Sequence, residues 1–299
     1  MAEAGNQTQT PVREQEDTVP SEDAERQGRP KKLPVPEHSR IQRVVAVMSG
    51  KGGVGKSSVA ALLAVALSKE GYRVGVLDAD VTGPSIPKLF GVTERAGALG
   101  FGILPPRTRG GIEVMSLNLF LPHEDDPVIW RGPLISNAVK QFWTDVIWGD
   151  LDYLVVDLPP GTGDAPLTVL QAIPLDGVII VTSPQDLAAM VVKKAIKMAQ
   201  ALDVPILGLV ENMTSVRCPS CGEEIRVFGP SRAPEIERST GVRSLGELPL
   251  DPAISDYGDR GEIEKYEVDF LKTVASLLPV ERSTSDAKRR ESDKEVPKT

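Results

Sequence analysis

The chain has 299 residues, 40% hydrophobic and 4% aromatic, with 34 Lys and Arg against 42 Asp and Glu for a formal net charge of −8. This allows one large or two medium domains with a real core, and the acidity argues against nucleic acid as a partner. The longest apolar run, Val59–Leu67, is far short of the roughly 20 residues that span a bilayer, and the opening MAEAGNQTQT lacks the basic and apolar regions of a secretory signal. The expectation is a soluble cytoplasmic protein with no membrane partner.

Residues 1–40 are polar, with six basic and eight acidic side chains. They read as a disordered tail, because so little apolar surface cannot offset the entropy of ordering. The domain is expected over 41–279. Val44–Met48 reads as a buried strand, and Ser58–Glu70 as an Ala- and Leu-rich helix ended by Gly71. Arg73–Leu77 is a second strand. The Gly- and Pro-rich stretch 92–130 holds an excursion with a short strand at Ile112–Met115. Tyr153–Val156, Gly177–Val181 and Ile206–Val210 are continuous apolar runs of the kind found in parallel strands buried on both faces. Asp186–Leu202 is a helix between the last two, and Tyr266–Leu278 a closing helix. The stretch 280–299 is a second expected tail. Strand–helix alternation of this kind gives an α/β fold with a doubly wound, mostly parallel sheet.

After the first strand comes Gly50-Lys51-Gly52-Gly53-Val54-Gly55-Lys56-Ser57, which fits the phosphate-loop pattern in its required strand–helix setting. Glycines let the backbone curl so that successive N–H groups face an anion, and the following helix adds the positive end of its dipole. The ATP site is therefore expected at Gly50, Lys51, Gly52, Gly53, Val54, Gly55, Lys56, Ser57 and Ser58. Lys56 is placed to reach the β- and γ-phosphates, and the Ser57 hydroxyl to bind Mg²⁺. Lys51 is not needed for the basic cradle. It is either a tolerated variable position or a cation that reaches a phosphate, including one across a dimer interface.

Asp78 and Asp80 end the second strand, where parallel sheets present ligand groups. Leu154-Val155-Val156-Asp157 is an apolar strand ending in a carboxylate, suited to hold Mg²⁺ through water. Asp80 is a candidate to orient or deprotonate the attacking water. Asp78 is a candidate to support Mg²⁺ or the loop, and the sequence alone does not divide these two roles. Pro159-Pro160-Gly161-Thr162-Gly163-Asp164 has the glycine content of a segment ordered by a γ-phosphate.

Together these motifs carry a resemblance. The loop with its extra Lys51 resembles that of the MinD/ParA-type P-loop ATPases. Within that group the runs Asp78–Pro87, Val156–Asp164, Glu211-Asn212-Met213, Cys218-Pro219-Ser220-Cys221-Gly222 and Leu248–Pro252 resemble the Mrp/ApbC family of iron–sulfur cluster carriers. The resemblance implies an ATP-hydrolysing homodimer that moves a [4Fe-4S] cluster between scaffold proteins and apo iron–sulfur proteins. It implies that Lys51 faces the partner's nucleotide and acts in catalysis with Lys56 and Asp80. Asn212 contacts adenine, and Cys218 and Cys221 ligate the cluster. Residues 1–40 contain no cysteine, so the N-terminal four-cysteine cluster of some eukaryotic relatives is absent.

The cysteines also read on their own. Cys-x-x-Cys supplies two soft thiolates, whereas tetrahedral zinc or a [4Fe-4S] cluster takes four ligands. His38 and His123 lie in other segments. A two-fold dimer supplies the missing pair. A zinc knuckle, a redox dithiol and an inert pair are the other readings of the same spacing. At the level of function the alternatives are a MinD/ParA-type positioning ATPase and a zinc-knuckle regulator switched by nucleotide.

Overall fold

The computed structural model describes residues 32–80, 83–120 and 132–281. Most of both expected tails, and His123, lie outside these residues.

Strand β1 (Ser39–Ser49) is followed by helix α1 (Lys56–Lys69), β2 (Val74–Asp78) and the short α2 (Ile86–Phe90). A hairpin of β3 (Gly97–Leu99) and β4 (Gly102–Leu104) precedes β5 (Glu113–Met115) and α3 (Gly132–Thr144). Then come β6 (Gly149–Asp157), α4 (Asp164–Ala172), β7 (Gly177–Thr182), α5 (Asp186–Ala201) and β8 (Ile206–Asn212). A two-stranded hairpin, β9 (Val216–Arg217) with β10 (Glu224–Ile225), leads to α6 (Ala233–Thr240), β11 (Ser244–Leu248), α7 (Pro252–Asp259) and α8 (Thr273–Leu277).

Seven strands form one sheet in the order β11-β8-β7-β1-β6-β2-β5, and every neighbouring pair is parallel. Two apolar layers cover its faces. One holds Trp143, Leu170, Ile196 and Ile236, from α3 to α6. The other is dominated by α1, whose residues Val59–Leu67 are all buried. A helix buried on every side needs no polar face, which is why this one reads as an unbroken apolar run.

β1 begins five residues before the expected strand. Ser39–Ile41 pair with Gly149–Leu151, and the polar Arg40, Gln42 and Arg43 conceal this from an apolar reading. Residues 32–38 follow a defined course. Leu33 N donates to Ala172 O, Lys32 Nζ caps the carbonyls of Leu170 and Ile173, and Trp143 Nε1 donates to Pro34 O across 2.7 Å.

The expected helix over Tyr266–Leu278 is corrected by the structure. That stretch holds a 3-10 turn at Phe270–Lys272 and the five-residue α8. Tyr266 has extended backbone (φ −78°, ψ 139°) and is pinned there, its hydroxyl donating to Asp251 Oδ2 at 2.9 Å. A helix cannot start through a residue held extended.

Candidate functional site

The C-terminal ends of β1, β2, β6 and β8 converge on the loop between β1 and α1, so residues far apart in sequence meet there. Gly53 and Gly55 have φ of 78° and 79°, the left-handed region that disfavours a side chain. A Cβ on Gly55 would collide with the side-chain amide of Asn212. Gly52, Gly53, Gly55, Lys56, Ser57, Ser58, Asp80 and Pro160 line a cavity of about 220 Å³. No side chain caps the N-terminus of α1, so its first N–H groups are available to an anion.

Lys56 is buried among carboxylates. Its Nζ lies 2.6 Å from Asp157 Oδ1 and 3.9 Å from Asp80 Oδ2, and 3.2 Å from Ser57 Oγ. Asp157 and Asp78 are directly opposed across β6 and β2, and both are fully buried. Burial raises the Asp157 pKa, against the lowering effects of the Lys56 charge and hydrogen bond and of the Ser57 hydroxyl. Burial, then the charge of Asp157, pushes Asp78 up to about 8, against the backbone N–H of Ile86, the charge of Lys56 and the backbone N–H of Asp80. One lysine thus serves two strongly desolvated carboxylates, a state in which added positive charge is favourable.

Asp157 Oδ2 is buried without a hydrogen-bond partner among the described residues. An orphaned carboxylate oxygen next to the Ser57 hydroxyl fits a hard divalent cation, so these two residues suit Mg²⁺. The roles of Asp78 and Asp80 separate geometrically. Asp78 Oδ2 accepts from the N–H groups of Ser85 and Ile86 and from Ser116 Oγ, and its Oδ1 from Asp80 N. Asp78 therefore shapes the segment after β2, while Asp80 lines the phosphate cavity.

At the end of β8, Asn212 Nδ2 donates to Val54 O at 2.9 Å, and its Oδ1 accepts from Met213 N. Met213 has φ 62°, a left-handed conformation uncommon outside glycine. Asn212 and Met213 join Gly55, Ser58 and Pro249–Asp251 around a cavity of about 90 Å³ beside the phosphate cavity. Lys51 Nζ donates to Gln185 Oε1, ahead of α5.

The cysteines follow at once. Thr214 N and Oγ1 donate to Leu248 O, and Leu250 N to Ser215 O, which fixes the stem of the β9–β10 hairpin. Cys218 N donates to Glu223 O and Gly222 N to Cys218 O, so the turn between the strands is a closed knuckle. Cys221 is exposed and Cys218 partly so, and both are free thiols. The backbone N–H groups of Cys221 and Ser220, then the Cys221 thiol, hold the Cys218 pKa below its usual value. This favours the thiolate that soft metals require. Pro249, Leu250 and Asp251 wall both the Asn212 cavity and a second cavity of about 510 Å³ under the hairpin.

A family model for the NUBPL iron-transfer P-loop NTPases, of ParA type, matches residues 40–278. The chain belongs to this family. An iron–sulfur cluster carrier protein of Methanocaldococcus jannaschii is 48% identical over 225 residues, 75% of this chain and 78% of that one. Another from Clostridium perfringens is 44% identical over 237 residues, 77% of this chain and 83% of that one. A nucleotide-binding protein of Archaeoglobus fulgidus, solved in complex with ADP, has a TM-score of 0.70 at 45% identity, covering 80% of this chain and 93% of that one. The cell division ATPase MinD of Pyrococcus furiosus shares the fold, with a TM-score of 0.57 at 22% identity over 79% of this chain and 98% of that one.

Within this iron-transfer NTPase the residues expected from the sequence fall into two places. Gly50–Ser58, Asp80, Asp157 and Asn212 gather at the phosphate loop and the cavity beside it. Cys218 and Cys221 stand on the hairpin that Asn212 leads into. Sequence reading assigned no role to Asp251, which lines the cavity beside Asn212. Its Oδ1 accepts from Ala253 N and caps α7, with Pro252 in the first turn. Asp-Pro at a helix start is the available signal. Gln185, the Lys51 partner, carried no signal.

Proposed function

We propose that this chain binds and hydrolyses Mg-ATP at the phosphate loop, and that two copies together carry one [4Fe-4S] cluster between their Cys218 and Cys221 pairs. The cluster is cargo, taken from scaffold proteins and delivered to apo-proteins in the cytoplasm by the 41–279 domain. The observation that carries this reading is the short path from Asn212, bonded to the phosphate loop, into the hairpin bearing Cys218 and Cys221.

Gly53 and Gly55 let the loop backbone surround the phosphates, and Lys56 moves its charge from Asp157 to the β- and γ-phosphates. Ser57 and Asp157 would hold Mg²⁺, which neutralises charge developing on the phosphates. Asp80 orients the attacking water and accepts its proton. Lys51, accessible at the loop's edge, supplies a second cation to the partner's nucleotide. Cluster transfer is ligand exchange: four cysteine thiolates of the dimer give way to four of the recipient, with no change in oxidation state.

Anaerobic reconstitution tests the reading. Ligand counting gives about four irons per dimer, and Cys218→Ala or Cys221→Ala is expected to abolish iron retention. Full retention by either variant, or zinc in place of iron, overturns it. Lys51→Ala is expected to fold normally and lose about a thousandfold in phosphate release, the low end of what a cation supplied in trans contributes.

A further inference from the structure

A cavity of about 800 Å³ lies at the end of the sheet away from the phosphate loop. β2, β5 and β6 begin there, and the first residue of each lines it. Parallel sheets bind their ligands at the opposite, carboxyl ends of the strands, and the nucleotide chemistry makes no use of this one. Its size is that of a small-molecule site, and its walls leave room. Gly111 and Gly149 line it with φ of 85° and 60°, and a Cβ on either would meet nothing within 4 Å.

Two ion pairs are built into these walls. Arg107 donates Nε and Nη2 to Glu113 Oε1, at 3.2 and 2.6 Å. The turn between the two residues is closed by Thr108 N on Ile112 O and by Gly111 N on Thr108 O. Arg73 Nη1 lies 3.6 Å from Asp150 Oδ2. The Arg107 side chain is 70% exposed and that of Asp150 62%, so a cation and a carboxylate are open to a ligand at once. Glu113 differs from them. It is only 8% exposed, and its Oε2 has no hydrogen-bond partner among the described residues. Native structures rarely leave such an oxygen bare. Burial raises the Glu113 pKa, so a positive charge brought beside it is favourable.

The signs of these groups select the ligand. A phosphate or a dicarboxylate would meet Arg107 but be repelled by Glu113 and Asp150. A polyamine would meet the two carboxylates but be repelled by Arg73 and Arg107. A molecule that carries one charge of each sign satisfies both sets. We propose that this basal cavity binds a small zwitterion of the amino-acid or short-peptide class, its carboxylate on Arg107 and its amino group on Glu113 and Asp150.

The test is a titration of full-length protein labelled with nitrogen-15. The probes are glycine, diglycine and triglycine, which distinguish a free amino acid from a peptide. N-acetylglycine and glycinamide, each lacking one of the two charges, and inorganic phosphate are the controls. The amide signals of Gly111 and Gly149 are expected to shift saturably with at least one zwitterion. N-acetylglycine and glycinamide are expected to bind at least tenfold more weakly than that zwitterion. Glu113→Gln and Arg107→Ala are each expected to weaken its binding at least tenfold, with a cooperative melting transition and parent-like ATP affinity. The absence of a saturable shift with all three zwitterions overturns the proposal. So does equal binding of N-acetylglycine or glycinamide to the parent, since the cavity then does not read both charges. An equal response to phosphate, or zwitterion binding that survives both substitutions, overturns it as well.

Discussion

The side-chain amide of Asn212 donates to the carbonyl of Val54 across 2.9 Å, so the strand that leads to the cysteines is bonded to the phosphate loop itself. Removing the donor leaves a buried carbonyl unsatisfied, a cost of about 1–3 kcal/mol. Asn212→Ala is therefore expected to weaken nucleotide binding by roughly one to two orders of magnitude while leaving iron stoichiometry at the hairpin unchanged. Titration calorimetry with ATP and an iron assay on the same preparation check both halves.

Lys56 is the cation that two buried carboxylates share. Lys56→Met leaves Asp157 and Asp78 without it, and breaking a buried pair on one side costs about 3–5 kcal/mol. Both carboxyls already sit above their usual pKa range because of burial. Acidification protonates them and removes the unpaired charge. The variant is expected to recover much of its lost stability between pH 8 and pH 5.5, measured by urea unfolding of nucleotide-free protein. A loss that is equal at both pH values would show that the lysine's packing, not its charge, is what matters.

Gly55 combines φ 79° with a direct approach to Asn212. Gly55→Ala pays about 1–2 kcal/mol for the left-handed backbone and displaces the amide that closes the loop. The expected outcome is a folded protein without measurable ATP affinity. A fluorescent nucleotide titration against a melting curve separates binding from folding.

Glu113 offers a test of pH dependence away from the site. It is buried, Arg107 Nη2 lies 2.6 Å from Oε1, and Oε2 has no hydrogen-bond partner among the described residues. Burial raises its pKa above 4.5, more than Arg107 lowers it. The folded chain thus holds this proton to higher pH than the unfolded chain does. Its contribution to stability is present below the unfolded value and is lost as pH rises through the folded one. Glu113→Gln removes that loss. Relative to the parent, the variant is expected to gain stability as pH rises above 4.5 and to level off once the folded carboxyl has ionised, in chemical denaturation.

Much of this was legible in the sequence because the elements concerned are simple. β2, β7 and β8 and the C-terminal halves of β1 and β6 are largely apolar runs buried on both faces. The phosphate loop announces itself by glycines whose positive φ only glycine adopts cheaply. The short elements were not legible. α2 has five residues and α6 and α7 eight each, too few for a period to stand out. β9 and β10 have two residues apiece and mostly exposed side chains, so packing leaves no pattern in them. The stretch 266–278 misled because the spacing of Phe270, Leu271 and Val274 is helical, while Tyr266 is held by Asp251, the cap of α7. Contacts of that kind are tertiary and leave no local trace. The neighbouring pair Asp78 and Asp80 could be told apart only when Ser85, Ile86 and Ser116 closed around one of them.

The wall formed by Pro249, Leu250 and Asp251 faces the cavity beside Asn212 and the phosphate loop on one surface and the underside of the hairpin on the other. A partition of this kind cannot be moved for one occupant without being moved for the other. Thermodynamic reciprocity then applies: if bound nucleotide changes the grip on cargo by some factor, bound cargo changes the grip on nucleotide by the same factor. Measuring ATP affinity with and without the cluster would give the strength of that exchange directly, without following a single transfer event.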